Sequence, residues 1–215
     1  MRPRRAAWPA VAGGSSSPLR KHDSYYDPPW RRQAGAGPIL TNLSHEIDLL
    51  HVLAGPITEV LALSATAARG HAVEDTTALS LRFANGALGT FAMSDAGASP
   101  WAFEAATGEN PAIAVRGDDP LRFVGTRGAL SFPSLDTWHA GPGSAGDWQD
   151  PLPRQAGPHV PKVDAIDVQL HRFAAIADGG QDDLLATGAA ALRTMAVLDA
   201  VQQAVQTGTS RKVPA

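Results

Sequence analysis

A chain of 215 residues with 44% hydrophobic and 18% charged residues has the balance of an ordinary globular protein and is long enough for one large domain with its own core. The net charge of -3, with lysine only at Lys21, Lys162 and Lys212 and no basic block beyond Arg2, Arg4 and Arg5, argues against nucleic-acid binding. The absence of cysteine excludes disulfides, thiolate metal sites and a cysteine nucleophile, and fits a cytoplasmic protein, while no apolar run approaches the ~20 residues that would cross a membrane.

In chain order, the arginines at the start and the segment Ala6 to Ala12 imitate a signal peptide, but the apolar part is short and broken by Pro9. Residues 1–18, running through Gly13-Gly-Ser-Ser-Ser17, are expected to be an irregular, poorly ordered leader, with the domain occupying 19–215. Residues 20–32 hold charges and aromatics among prolines that forbid a long helix, and read as an ordered loop. Tyr25, Tyr26 and Trp30 would anchor it, and Arg31 or Arg32 would either share that task or face cofactor phosphate or substrate hydroxyls.

Gly35-Ala-Gly37 then feeds the stretch on which the chain turns, an amphipathic helix ended by Gly55-Pro56, with Asn42 or Ser44 as N-cap and Glu46 and Asp48 in its first turn. At ~100° per residue Leu43, Ile47, Leu50, Leu53 and Ala54 share one face, and His45, Asp48, Leu49 and Val52 the other. A helix with plain solvent behind it would not put Leu49 and Val52 beside His45 and Asp48, so the second face is expected to meet another domain, subunit or ligand.

Strands are predicted over 57–67, 75–84 and 87–94, the last two joined through Asn85-Gly86, whose residues suit a tight hairpin turn. Residues 100–111 read as a loop, and short strands come after it at 112–116, 121–124 and 129–132. Residues 140–161, rich in glycine and proline, read as a surface excursion able to fold over the site. A helix over 165–178 carries Ile166, Leu170, Phe173 and Ile176 or Ala177 on one face. Thr187 caps a last helix with the stripe Leu192, Met195, Val197, Leu198, Val201 and Val205, and residues 211–213 offer an edge strand. The order of elements predicts an α+β fold, a mainly antiparallel open twisted sheet of about seven strands with helices packed on one face.

Several of these stretches resemble one family. Trp30-Arg31, Gly35-x-Gly37-x-Ile39-Leu40 and His45-x-x-Asp48-Leu49-Leu50-x-x-Leu53-x-Gly55-x-Ile57 look like the start of the C-terminal domain of the Gfo/Idh/MocA oxidoreductases, which act on sugars and cyclitols with NAD(P). Phe83-Ala-Asn-Gly-Ala-Leu-Gly-Thr90, Gly125-Thr-Arg-Gly-Ala-Leu130 and the closing helix from Ala191 to Leu198 look like later landmarks of that domain. The resemblance implies a substrate-binding and oligomerisation domain, with NAD or NADP bound by a Rossmann half that this chain does not contain. A Gly-x-Gly-x-x-Gly turn between the first strand and helix of a βαβ unit is missing, as is the family's Glu-Lys-Pro lysine.

The resemblance also places the chemistry. It puts proton acceptance on His45, a side chain whose ordinary pKa near neutrality suits that task, with Asp48 one helical turn away to orient the ring. Where relatives carry an aspartate four residues before the histidine this chain has Thr41, and Thr41 or Asn42 would bond a substrate hydroxyl. The segment with Trp101, Glu104, Thr107, Glu109 and Asn110 resembles one near the substrate. His45 and His51 fall on different faces and His-Glu-x-x-His is missing, so no metal site is expected. Two functions remain open: the substrate half of a sugar or cyclitol dehydrogenase that is inactive by itself, and a dimeric ligand-binding domain that keeps the fold without the chemistry. Partners implied are a small polyol or sugar-like substrate, a second copy of the chain through the sheet face, and a separate Rossmann domain, with no nucleic acid and no membrane.

Overall fold

A computed structural model describes residues 10–141 and 147–214. Its first element corrects the expected leader: Ala10–Pro18 form strand β1, and residues 1–9 lie outside the described residues. A run of small polar residues carries no alternation that would announce a strand. Here the pairing is satisfied by backbone groups on both edges, parallel to one neighbour and antiparallel to the other. Single 3-10 turns stand next in the chain at Asp23–Tyr26 and Pro29–Arg32.

Two helical pieces come after them, α1 (Pro38–Thr41) and α2 (Leu43–Ala54). Pro38 stands at the first position of α1, where a missing N–H costs nothing. Gly37 is required by space: a Cβ there would lie 2.2 Å from the Glu74 carboxylate, which accepts the Ile39 N–H at 3.0 Å. Asn42 precedes α2 but its side chain does not cap the helix, because its Oδ1 accepts from Lys21 Nζ at 2.8 Å and Thr41 Oγ1 at 3.0 Å. Gly55, at φ 95°, ends α2.

The sheet is built by β2 (Ile57–Ala65), β3 (Thr76–Phe83), β4 (Leu88–Ser94), β5 (Leu121–Gly125), β6 (Gly128–Phe132), β7 (Thr137–Trp138) and β8 (Arg154–Gln155), with α3 (Phe103–Thr107) between β4 and β5. Helices α4 (Ala165–Ala177) and α5 (Gly188–Thr207) and a short β9 (Arg211–Lys212) complete it. The strand order is β8-β7-β6-β5-β1-β4-β3-β2-β9, antiparallel throughout except for β1 with β4. The α+β class stands as expected, with nine strands among the described residues where about seven were anticipated. The additional pairings are β1 and the two-residue β7 and β8, all too short or too small in side chain to show as hydrophobic alternation.

Two other expectations are corrected. Residues 112–116 are turn and irregular chain, not a strand; the Arg116 N–H donates to the Ala105 carbonyl at 2.9 Å, holding the segment against α3. The excursion over 140–161 contributes β8 to the outer edge of the sheet, where Asp136 accepts from the Gly157 N–H at 2.8 Å and from Arg154. None of its described residues lines the cleft beside α2 that forms the candidate site.

The core lies between one sheet face and helices α2 and α5. Strand β3 alternates between buried Thr77, Leu79, Leu81 and Phe83 and exposed Thr76, Ala78, Ser80 and Arg82. Leu43, Ile47 and Leu50 of α2 meet Val197, Leu198 and Val201 of α5 over Val60, Phe91 and Leu121 of the sheet. Each fully buried aliphatic side chain of this kind contributes about 1.5–3 kcal/mol of transfer free energy. Leu192 and Met195, at the start of the α5 stripe, remain exposed, and so does the whole apolar stripe of α4, with Ile166, Leu170 and Phe173 each more than 60% accessible.

Candidate functional site

Three chain segments converge on one side of α2. Strand β1 carries Ser17 next to its last residue and leads to Leu19 and Lys21; β4 ends beside it in Met93 and Ser94, with Asp95 next in the chain; and the segment around α3 adds Ala102, Phe103, Glu104 and Glu109. With Pro38, Asn42, His45, Glu46 and Leu49 these residues line a cleft of about 280 Å³. The parallel pairing of β1 with β4 is what brings the two strand ends to the same place.

Next to the cleft, sharing Lys21 and Asp95 with it, is a buried polar knot. Tyr26 donates its hydroxyl to Asp95, and the Arg69 guanidinium sits 4.5 Å from the Tyr26 ring and 3.5 Å from the Asp95 carboxylate. The same guanidinium donates to the main-chain carbonyls of Lys21 at 2.7 Å and Asp95 at 2.8 Å. Burial, and then the bond to Asp95, push the Tyr26 hydroxyl pKa far above its usual 10, so it stays protonated and donating. This knot fixes the turn that carries Lys21.

Of the residues singled out for the site in the sequence, the cleft gathers His45, Asn42, Glu104 and Glu109. Thr41 does not line it; its hydroxyl donates to the Gly37 carbonyl and to Asn42. Arg31 and Arg32 anchor the loop, donating to the carbonyls of Tyr25 at 2.7 Å and Tyr26 at 2.6 Å, with Arg31 stacked 4.0 Å from the Tyr25 ring. Trp101 is half exposed and does not line the cleft, and neither does Asn110, which donates to the Glu104 carboxylate at 3.1 Å.

Asp48 turns away from His45. Its carboxylate accepts from Thr194 of α5 at 3.4 Å, and its charge acts on His51, whose pKa is lowered by burial and partly restored by Asp48. The second face of α2 is therefore divided: His45 and Leu49 serve the cleft, Asp48 meets α5, and Val52 is exposed.

Sequence reasoning missed Lys21 and Glu46. Lys21 was hidden in a loop whose fold depends on the knot, and Glu46 looked like a helix-dipole partner. Glu46 is instead half-buried, bonded by Ser17 of β1. Burial raises its pKa above the ordinary 4.5, the Ser17 bond opposes that, and the charges of Glu104 and Glu109 add to it. Glu109 is raised for the same leading reason, then by Glu104, while His45 pulls it back.

Among the described residues no group of three His, Asp or Glu side chains is arranged to hold a metal ion. They also offer no cradle for a dinucleotide. The one parallel strand pair is connected through two further strands, so it forms no βαβ unit. The letters from Gly141 to Gly146 spell Gly-Pro-Gly-Ser-Ala-Gly, yet the next helix, α4, begins only at Ala165, and 142–146 lie outside the described residues. The residues present therefore do not fit a nicotinamide nucleotide.

Comparison with known proteins identifies the family. The profile of the GFO/IDH/MocA C-terminal domain matches residues 14–131, more than half of the chain, and the chain belongs to that family. No curated protein matches it. Among solved structures it is similar to the WlbA dehydrogenase from Bordetella pertussis in complex with NADH and UDP-GlcNAcA, at 20% identity and a TM-score of 0.66, over 96% of this chain and 55% of that one. A levoglucosan dehydrogenase in complex with NADH and levoglucosan gives 16% identity and a TM-score of 0.66, over 96% of this chain and 59% of that one. An oxidoreductase from Agrobacterium radiobacter, in complex with NAD+, L-tartaric acid and magnesium, gives 16%, 0.65, 95% and 57%. At such identities the likeness establishes the fold, and the chain spans little more than half the length of these proteins.

The raised pKa of Glu46 has a stability consequence. The folded state holds the proton more tightly than the unfolded chain, so the favourable contribution is fully present below pH 4.5 and is lost as pH rises through the raised folded value. Glu46→Gln, which keeps the shape of the protonated acid, should therefore unfold at a higher temperature than the parent at pH 7, with the difference closing as pH approaches 4. Thermal scans at the two pH values check this; a variant no more stable at pH 7 would contradict the burial of an ionising carboxyl.

Proposed function

We propose that this chain is the substrate-binding and oligomerisation part of an NAD(P)-dependent oxidoreductase acting on a CH–OH group of a sugar or cyclitol. The observation that carries the reading is the composition of the cleft: an accessible imidazole, His45, beside a lysine, an asparagine and three glutamates, with Leu49, Met93 and Phe103 as apolar walls. Alternating donors and acceptors over a partly apolar floor suit a small molecule dense in hydroxyl groups. In this role Lys21 and Asn42 hold hydroxyl oxygens, the glutamates accept hydroxyl protons, and His45 takes the proton of the reacting hydroxyl as its carbon is oxidised.

The hydride acceptor is a nicotinamide nucleotide held by a domain outside the described residues, as solved structures of which this chain covers only 55% and 59% suggest. The exposed stripe of α4, with Ile166, Leu170 and Phe173, supports such a partner, since a capped amphipathic helix rarely leaves its apolar face in water.

The outer sheet face supports self-association. Leu63, Ala78 and Ala92 lie in register across β2, β3 and β4, as do Leu61, Ser80 and Thr90, and this mixed small and apolar surface is exposed. Light scattering should find a dimer or larger species that Leu63→Glu converts to monomer; a clean monomer of the parent chain at high concentration would contradict the assignment.

The catalytic reading is tested in a chain joined to a nucleotide-binding domain of the family. His45→Ala should lower turnover about a hundredfold or more while leaving stability within ~1 kcal/mol, because the side chain is exposed and the typical contribution of a general base is of that size. Leu50→Ala, on the packed face, serves as the folding control and should cost about 2–5 kcal/mol. If His45→Ala unfolds the domain as badly, or leaves turnover intact, the histidine is not the proton acceptor; a joined parent chain with no turnover at all would read as a ligand-binding domain.

A further inference from the structure

Among the described residues Lys21 is the one ammonium that lines the cleft, and its surroundings hold it without neutralising it. Its main chain is fixed from both sides: the N–H donates to the Asp95 carbonyl at 2.8 Å, and the carbonyl accepts from Arg69 at 2.7 Å. Its Nζ donates to Asn42 Oδ1 at 2.8 Å and stands 4.3 Å from the centre of the Tyr25 ring. Both partners are uncharged, and among the described residues no carboxylate forms an ion pair with it. We propose that Lys21 is the specificity-determining residue of the cleft, giving its free N–H to a substrate hydroxyl in a site whose remaining charge is negative, so that the cleft takes an uncharged polyol and turns away a sugar acid or a phosphate ester. This rests on the reading of the cleft as a sugar site and names the class of sugar.

An ammonium can only donate, so the Asn42 atom that it meets is the amide oxygen, which also accepts from Thr41 at 3.0 Å. The amide is thereby oriented, and its Nδ2 hydrogens have no acceptor among the described residues. Lys21 and Asn42 thus offer donors side by side at the start of α2. The acceptors are Glu46 of α2 and Glu104 and Glu109 of the segment around α3. Among the described residues no lysine, arginine or histidine, His45 included, forms an ion pair with any of the three. Glu104 is met by the uncharged Asn110, and the fourth lining carboxylate, Asp95, is engaged by Tyr26 and Arg69. Two more cations stand near without lining the cleft. Arg69 is committed to Asp95, Asp23 and two carbonyls. Lys162, whose Nζ would lie 3.3 Å from a Cβ on Gly108, flanks the turn before Glu109 and forms no ion pair with it. A hydroxyl suits both sides of such a cleft, since it accepts from Lys21 or Asn42 and donates to a glutamate. An ionised carboxylate can only accept, and it brings a further negative charge into a partly enclosed site that already holds an excess.

The test is a titration of the chain as it stands with D-glucose and with D-glucuronate, which differ in one CH2OH against one carboxylate. Binding is followed by NMR on the side-chain amide of Asn42, assigned by its loss in Asn42→Ser. Glucose should bind about tenfold more tightly than glucuronate, the size of a like-charge repulsion across a cleft of this kind. Lys21→Met should weaken glucose by about tenfold, as for the loss of a charged hydrogen bond, and Glu109→Gln, on an exposed turn, should narrow the gap between the two sugars. Glucuronate binding as tightly as glucose, glucose binding untouched by Lys21→Met, or a gap unchanged in Glu109→Gln would overturn the inference and leave the sugar reading standing. An Asn42 signal that responds to neither sugar would refute the sugar reading itself, and this inference with it.

Discussion

The constraint on which the rest depends is the insertion of β1 between β4 and β5. Without it the described sheet would fall into two antiparallel pieces, β4-β3-β2-β9 on one side and β8-β7-β6-β5 on the other. Both edges of β1 are paired along Gly13, Gly14 and Ser15, so its amides and carbonyls join the two pieces by hydrogen bonds rather than by side-chain burial. The strand is parallel to β4, which means that both chains leave the sheet at the same end. Ser17 and Lys21 therefore emerge next to Ser94 and Asp95, and the cleft exists at that end because two strand termini and one helix meet there.

The loop after β1 is held by polar chemistry in a place where an apolar contact would serve stability equally well. Arg69 is nearly enclosed and ties Lys21, Asp23 and Asp95 together over the Tyr26 ring. A buried charge needs partners: both terminal nitrogens of this guanidinium are hydrogen-bonded, while its Nε makes no hydrogen bond and stands 3.5 Å from the Asp95 carboxylate. The outcome is a fixed backbone position for Lys21, whose ammonium then reaches Asn42 at the start of α2. Packing sets α2 on the sheet through Leu43, Ile47 and Leu50, and the knot sets the loop on α2; between them the cleft acquires a rigid rim with titratable groups pointing inward.

Much of this was legible in the sequence where side chains decide. The alternation of β3 and the Asn85-Gly86 turn announced strands and hairpin, and the 3–4 spacing of Leu43, Ile47 and Leu50 marked the packed face of α2, with His45 opposite. Elsewhere long-range partners displaced local ones. Asn42 is the natural N-cap by type, but Lys21 from across the cleft takes its carbonyl oxygen. Asp48 has the right spacing for His45, but a helix 146 residues later supplies Thr194. Of the two roles open to Arg31 and Arg32, the bonds present are those to loop carbonyls. Strand β1 was invisible because glycine and serine reveal nothing about burial, and a strand held from both sides needs no pattern.

Native-state hydrogen exchange of the amides from Gly13 to Ser17 addresses that strand most directly. If β1 ties the two halves of the sheet together, these amides exchange only through global unfolding, with the same opening free energy as Leu79 and Leu81 in β3. Exchange at the rate of an unstructured chain, with β3 still protected, would contradict the insertion of β1 and with it the placing of Ser17 and Lys21 at the cleft.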